Sequence, residues 1–192
     1  MKRIGVFMSA VVGLALMFSA NALAQGDSNV YFVTYYSNNV AGAPDGSVRF
    51  INDGDTGGSL YADFYVFDDS QELQACGACV ITADGLLSED VKTQLTNNPV
   101  TGRVPSRGVI KVISDGKGNA TSVSPTPGLR GWATHIQRAT PTSGTYATTE
   151  TPVSDSNLTG GEESLLEHLC YYAGLLGSGQ GTITCTMEDH DF

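Results

Sequence analysis

Eight short runs rich in β-branched and aromatic residues, separated by turn and loop segments, constrain this chain more than any other feature. They are residues 30–37 (VYFVTYYS), 47–52 (SVRFIN), 60–67 (LYADFYVF), 79–82 (CVIT), 107–114 (RGVIKVIS), 129–137 (LRGWATHIQ), 145–153 and 181–187 (GTITCTM). Such residues suit a pleated, half-buried surface. In the third run Tyr61, Asp63 and Tyr65 alternate with Ala62, Phe64 and Val66, the two-residue period of a strand with one face inward. Turn clusters such as 52–59 (NDGDTGGS), in a chain with 23 glycines, allow tight reversals between runs. The pattern predicts a mainly β chain with one or two helices, folded as an antiparallel β-sandwich-like single domain.

Two helices interrupt the strands. Ser88 stands ahead of Glu89, Asp90 and Val91, which predicts a short helix capped by Ser88 with acids in its first turn. Val91 and Leu95 lie one turn apart, and Asn97-Asn98-Pro99 ends this helix. Thr159-Gly160-Gly161-Glu162 has capping-box spacing ahead of a second, longer helix. There Leu165, Leu169, Ala173 and Leu176 form the expected buried stripe, with Leu166 and Cys170 beside it and Gly177 as the C-terminal cap. Trp132 is expected to share a core with that stripe, so that the helix covers one end or one face of the sandwich. Residues 115–128 (DGKGNATSVSPTPG) are loop-rich and long enough to be mobile or functional. The four cysteines straddle them, which favours one domain.

Residues 1–24 read as a cleaved signal peptide. Lys2 and Arg3 form a positive start, residues 4–18 are apolar, and Ala22-Leu23-Ala24 supplies the small-x-small pattern before Gln25. The apolar stretch is shorter than the roughly 20 residues of a membrane span. Cleavage after Ala24 leaves residues 25–192 as one secreted domain, extracellular or periplasmic, without a further span. An oxidising compartment and an even count predict two disulfides among Cys76, Cys79, Cys170 and Cys185. Cys76–Cys79 with Cys170–Cys185 is slightly preferred, because a turn after the helix can bring Cys185 beneath Cys170; the two crossed pairings stay open. The chain has 20 acidic against 10 basic residues, a net charge of −10, and loses Lys2 and Arg3 with the leader. Such a surface repels phosphate backbones and anionic membranes, so neither nucleic acid nor a membrane is an expected partner.

Few residues suggest chemistry. Cys76-Gly77-Ala78-Cys79 has the spacing of a redox dithiol, but it runs into a strand rather than a helix N-terminus, where the thiol would be activated. A four-cysteine zinc site would want a second C-x-x-C, and Cys170 and Cys185 are too far apart for one. Asp53-Gly54-Asp55 resembles the opening of a calcium loop, yet the EF-hand pattern fails at Gly57 and Phe64, its fifth and twelfth positions. A looser surface calcium site near Asp53 and Asp55, helped by Asp63 or by Asp68 and Asp69, is a minor expectation. Residues 177–181 (GSGQG) follow a helix instead of preceding one, the wrong order for a phosphate loop. His135, His168 and His190 have no evident triad partners, and Glu89-Asp90 and Glu162-Glu163 read as helix-start acids.

Taken together, residues 65–68 (YVFD), Gln71-Glu72, the 76–79 cysteine pair, 80–85 (VITADG), 95–99 (LTNNP), 108–111, 129–135, Cys170 and 177–185 resemble a family of uncharacterised secreted proteins from soil bacteria such as acidobacteria. That resemblance implies export and a single module, and brings no catalytic residue. The expectation is therefore an exported, non-catalytic binding or structural module with an extracellular or cell-surface partner. No catalytic, cofactor-binding or metal residue is assigned. A secreted hydrolase acting on carbohydrate or protein, showing two carboxylates or Ser, His and Asp in one pocket, is the first alternative. A periplasmic thiol–disulfide protein, showing an exposed and activated Cys76, is the second.

Overall fold

A computed structural model describes residues 30–96, 104–138 and 144–175, together with Ile183 and Cys185. The strands are β1 (Tyr31–Tyr36), β2 (Ser47–Asn52), β3 (Leu60–Asp68), β4 (Leu73–Ile81), β5 (Leu86–Asp90), β6 (Gly108–Asp115), β7 (Leu129–Arg138), β8 (Tyr146–Pro152) and β9 (Ser154–Ser156), followed by helix α1 (Gly160–Leu175). They form two antiparallel sheets, ordered β4-β3-β6-β1-β9 and β5-β2-β7-β8, which pack against each other as a β-sandwich. The predicted signal peptide, Asn97 to Pro99, Leu176, Gly177, His190 and most of 181–187 lie outside the described residues. Among the described residues no helix is long and apolar enough to cross a membrane.

Period-2 alternation builds the central core. Leu60, Ala62, Phe64 and Val66 of β3 face inward with Phe32, Val48, Phe50, Ile110, Val112 and Leu129. Phe50 sits edge-on to Phe32 at 5.4 Å and to Phe64 at 5.9 Å. Gly131 stands directly beneath Phe50, where a Cβ would collide with the Phe50 ring. That phase puts Trp132 on the opposite face of β7, beside Arg49, so Trp132 is half-buried and outside the core, contrary to expectation.

The other face of the β3–β6 sheet is covered as well. Tyr31, Tyr65, Cys76 and Ile113 lie beneath Ala120 and Val123 of the 116–126 loop and beneath Leu166 and Cys170 of α1. Tyr65 Oη donates to the Ala120 carbonyl (2.8 Å), and the Val123 N–H donates to Glu167 Oε1 (2.7 Å), tying loop to strand and to helix. The loop-rich stretch is thus a packed cover over the sheet. Lys111 Nζ, 2.5 Å away, and Tyr31 Oη, 2.8 Å away, both donate to Glu162 Oε1 at the start of α1. Burial pushes the Glu162 carboxyl up, but these two bonds and the Lys111 charge outweigh it and hold it below its usual range.

Four local expectations are corrected. Ser88, Glu89 and Asp90 are strand, pairing with Arg49, Val48 and Ser47, and Asp90 makes no side-chain cap. Cross-strand pairing overrides their capping tendency. Only a single π-turn follows, from Val91 to Leu95, closed by the Thr96 N–H on the Val91 carbonyl at 2.9 Å. On α1 the buried pair is Leu166 and Cys170, while Leu165 is 50% exposed and Leu169 and Ala173 are half-buried. The helix is turned about its axis by the Cys170 bond to the sheet. The strand expected at 79–82 begins six residues earlier, at Leu73.

That longer β4 decides the disulfides. Residues three apart on a strand project to opposite faces, so Cys76 and Cys79 are unable to meet. The bonds are Cys76–Cys170 and Cys79–Cys185, one of the crossed pairings, and the preferred local pairing is overturned. Cys76 reaches outward to α1. Cys79 reaches into the core, where Ile183 also packs, with its N–H on the Cys76 carbonyl at 3.0 Å. Two such bonds suit an oxidising compartment.

Candidate functional site

Strand lengths create a groove at one side of the sandwich. β9 pairs with β1 only at Tyr31, Phe32 and Val33. At Val153 the chain passes between the sheets, its N–H bonded to the Gly131 carbonyl at 3.0 Å. Pro152 sits at this corner and has no N–H to extend pairing. Beyond Val33, β1 is met instead by the end of β7, where Ser37 Oγ and Asn38 Nδ2 both donate to the Ile136 carbonyl at 3.0 and 2.6 Å. This junction sets His135 against Tyr35, with ring centroids 4.2 Å apart and planes at 18°.

The resulting groove has a volume of about 430 Å3, within the range of about 300–1,000 Å3 common for small-ligand clefts. Its aliphatic surface comes from Val33, Val109 and Pro152, and its hydroxyls from Thr34, Thr151, Ser154 and Ser156. His135 is 6% exposed, whereas Tyr35 is 50% exposed. His135 Nε2 lies 2.9 Å from Thr151 Oγ1, and among the described residues no side chain hydrogen-bonds Nδ1. Burial lowers the His135 pKa, opposed only in part by the Tyr35 main chain, so the ring is neutral at neutral pH. Among the described residues, no formally charged side chain lines the groove.

A second polar cluster is sealed beneath the outer cover. Asp115 accepts the N–H groups of Lys117, Gly118 and Asn119 on Oδ2, at 3.0, 2.5 and 3.2 Å, and that of Ser124 on Oδ1. Asp63 is fully buried beside it, and among the described residues neither Asp63 oxygen meets an N–H donor. Burial first, then the Asp115 charge, push the Asp63 carboxyl up to about 8. It therefore keeps its proton at neutral pH and can donate it towards Asp115. Two buried carboxyls with no opening to solvent make a structural pair, out of reach of a substrate.

The other sequence candidates stay apart. Asp53 Oδ1 accepts the Asp55 N–H at 3.2 Å and Oδ2 lies 3.4 Å from Arg130 Nε, so an arginine supplies the positive charge at that turn. Asp68 accepts from Ser70, Glu72 and Gln74, and Asp69 pairs with Arg107 at 2.8 Å. Among the described residues, neither group gathers with Asp53 and Asp55 into a set of three possible ligands. Cys79, Cys185 and buried Glu89 lie within 4.8 Å of one another, but both sulfurs are spent in the disulfide and offer no thiolate. Cys76 is 2% exposed and bonded to Cys170, so the C-x-x-C pair forms no dithiol. His168 is exposed on α1, edge-on to Tyr172 at 4.6 Å.

The groove itself was not read from the sequence. One signal was present: residues 30–37 carry large residues in both phases, so a single core cannot absorb both faces. His135 and Thr151 gave no such sign. Compared with family models, with curated proteins and with solved structures, the chain matches none.

Proposed function

We propose that the protein is an exported, non-catalytic binding module whose ligand, from the cell surface or its surroundings, occupies the Tyr35–His135 groove. The observation that carries this reading is the groove's construction. A half-exposed tyrosine is backed by a buried neutral imidazole and edged by hydroxyls, all on β-strands. Rigid elements preorganise such a site, so little ordering cost falls on binding. The reading of export rests on Lys2, Arg3, the apolar run and Ala22-Leu23-Ala24, and the two disulfides are compatible with it.

The hydrolase alternative would use His135 as a base for Thr151. A catalytic imidazole is oriented and charge-balanced by an acidic group on its other nitrogen, and among the described residues no carboxylate hydrogen-bonds His135; apart from Thr151 its polar neighbour is the Tyr35 main chain. The contact is better read as Thr151 steering the ring under Tyr35. The test is co-sedimentation of the disulfide-intact protein with insoluble cell-envelope and extracellular-matrix fractions. The expected result is that wild type sediments and a folded Tyr35→Ala variant stays in the supernatant. Equal partition of the two proteins, or release of soluble fragments by wild type that stops in Thr151→Val, defeats the reading.

A further inference from the structure

Resting on that reading, we infer that the groove takes a neutral saccharide, from the juxtaposition of the Tyr35 ring with a fringe of hydroxyls in a site where no described residue brings a formally charged side chain. Charge decides first. The chain as a whole is strongly acidic, at −10, yet among the described residues no acid, lysine or arginine lines this groove. A phosphate, carboxylate or ammonium group entering it would lose hydration and gain no counter-charge. An uncharged ligand escapes that cost.

Shape and polarity decide next. One face of Tyr35 is covered by His135, and the residue, which lines the groove, stays half exposed. An aromatic face carries negative quadrupolar charge, which suits the weakly positive C–H face of a pyranose ring. Ser154 and Ser156 each offer one O–H donor and two acceptor lone pairs, and Thr151 offers what its bond to His135 leaves over. A sugar rim presents the same mixed donors and acceptors, so pairs form without either side needing a fixed protonation state. A purely apolar ligand would leave those hydroxyls unpaired. An extended peptide would want a row of main-chain partners. Strand alternation points only the Tyr35 N–H and C=O outward along the edge of β1 beyond β9, since Val33 is already paired with Ser154.

The test is affinity electrophoresis of the disulfide-intact protein in gels containing a soluble β-1,4-glucan, xylan, galactomannan or starch, with alginate as the anionic polymer and gelatin as the polypeptide. The expected result is retardation by at least one neutral polysaccharide, unchanged between low and high salt because no ion pair is screened. Tyr35→Ala should weaken it at least tenfold, while Tyr35→Phe, which keeps the stacking face, should weaken it less than threefold. Near-ultraviolet circular dichroism and equal melting temperatures establish that the variants are folded. Retardation by no neutral polysaccharide, or retardation indifferent to Tyr35→Ala, overturns the inference. Tyr35-dependent retardation by gelatin or alginate alone overturns the saccharide while leaving a binding groove. Absence of any Tyr35-dependent retardation, together with equal partition in the sedimentation assay, removes both.

Discussion

Asp63 is the residue at which local pattern and final environment diverge most. In its strand it occupies the phase of Tyr61 and Tyr65, where an acid would ordinarily face water. Here that face is roofed by residues 116–126 and α1, and the carboxyl faces Asp115, with Tyr65 close enough to feel its charge. The consequence is a pH dependence with a definite sign. The unfolded chain releases this proton near pH 4, whereas the folded chain keeps it up to about 8. Between those values the native state holds more protons, so stability falls as pH rises. The contribution is fully present below about pH 4 and gone above about 8. The difference in urea-unfolding free energy between wild type and Asp63→Asn should therefore move steadily against wild type from pH 5 to pH 8. A difference that is flat with pH would mean Asp63 is ionised in the fold. His135 has the opposite sign. Its lowered pKa makes the neutral ring part of the native state, so the stability it contributes is lost as pH falls below about 6.5, the unfolded value. His135→Gln should flatten the acid limb of the same titration.

At the scale of elements, α1 shows how a tether chooses a face. Its sequence offers two adjacent apolar rows, one through Leu165 and Leu169 and one through Leu166 and Cys170. Period and hydrophobicity alone do not separate rows one residue apart, because both lie within the same apolar stripe. The bond from Cys170 to Cys76 does separate them, leaving Leu166 fully buried and Leu165 half exposed. Leu166→Ala should cost about 2–5 kcal/mol in chemical denaturation. Leu165→Ala should stay within about 0.5 kcal/mol. Similar losses from both substitutions would place the interface on the wrong face. The stretch from Ser88 to Asp90 teaches the same lesson for strands. Its capping residues are real helix-start signals, and they yield because β2 supplies a complete set of cross-strand partners.

At the scale of the whole molecule, both disulfides join the C-terminal part of the domain to its middle. They link residues separated by 94 and 106 positions, for which the chain-entropy model gives about 4–5 kcal/mol each, the upper end of measured effects. Peptide mapping without reduction should recover the Cys76–Cys170 and Cys79–Cys185 linkages and no Cys76–Cys79 loop. Replacing Cys76 and Cys170 together by Ala should raise hydrogen exchange in α1 before it raises exchange in the sandwich, since only the outer layer loses its tether. Intact mass of the exported protein should begin at Gln25, and a mature chain retaining Met1 would refute the leader assignment. What the sequence determined by itself was local: strand residues, turns, an N-terminal capping site on α1 and the sandwich class, all written in neighbours within one or two turns or pleats. Once β4 extends back to Leu73, even the opposite facing of Cys76 and Cys79 follows from a two-residue period. Only the tertiary structure decided which sulfurs met, which row of α1 was buried, that Asp63 lay beside Asp115, and that Tyr35 stacked on a histidine 100 positions away. Each of those depends on which strands become neighbours and where a strand stops. Sheet order is set by the joint burial of both faces, a property that no single stretch of chain carries.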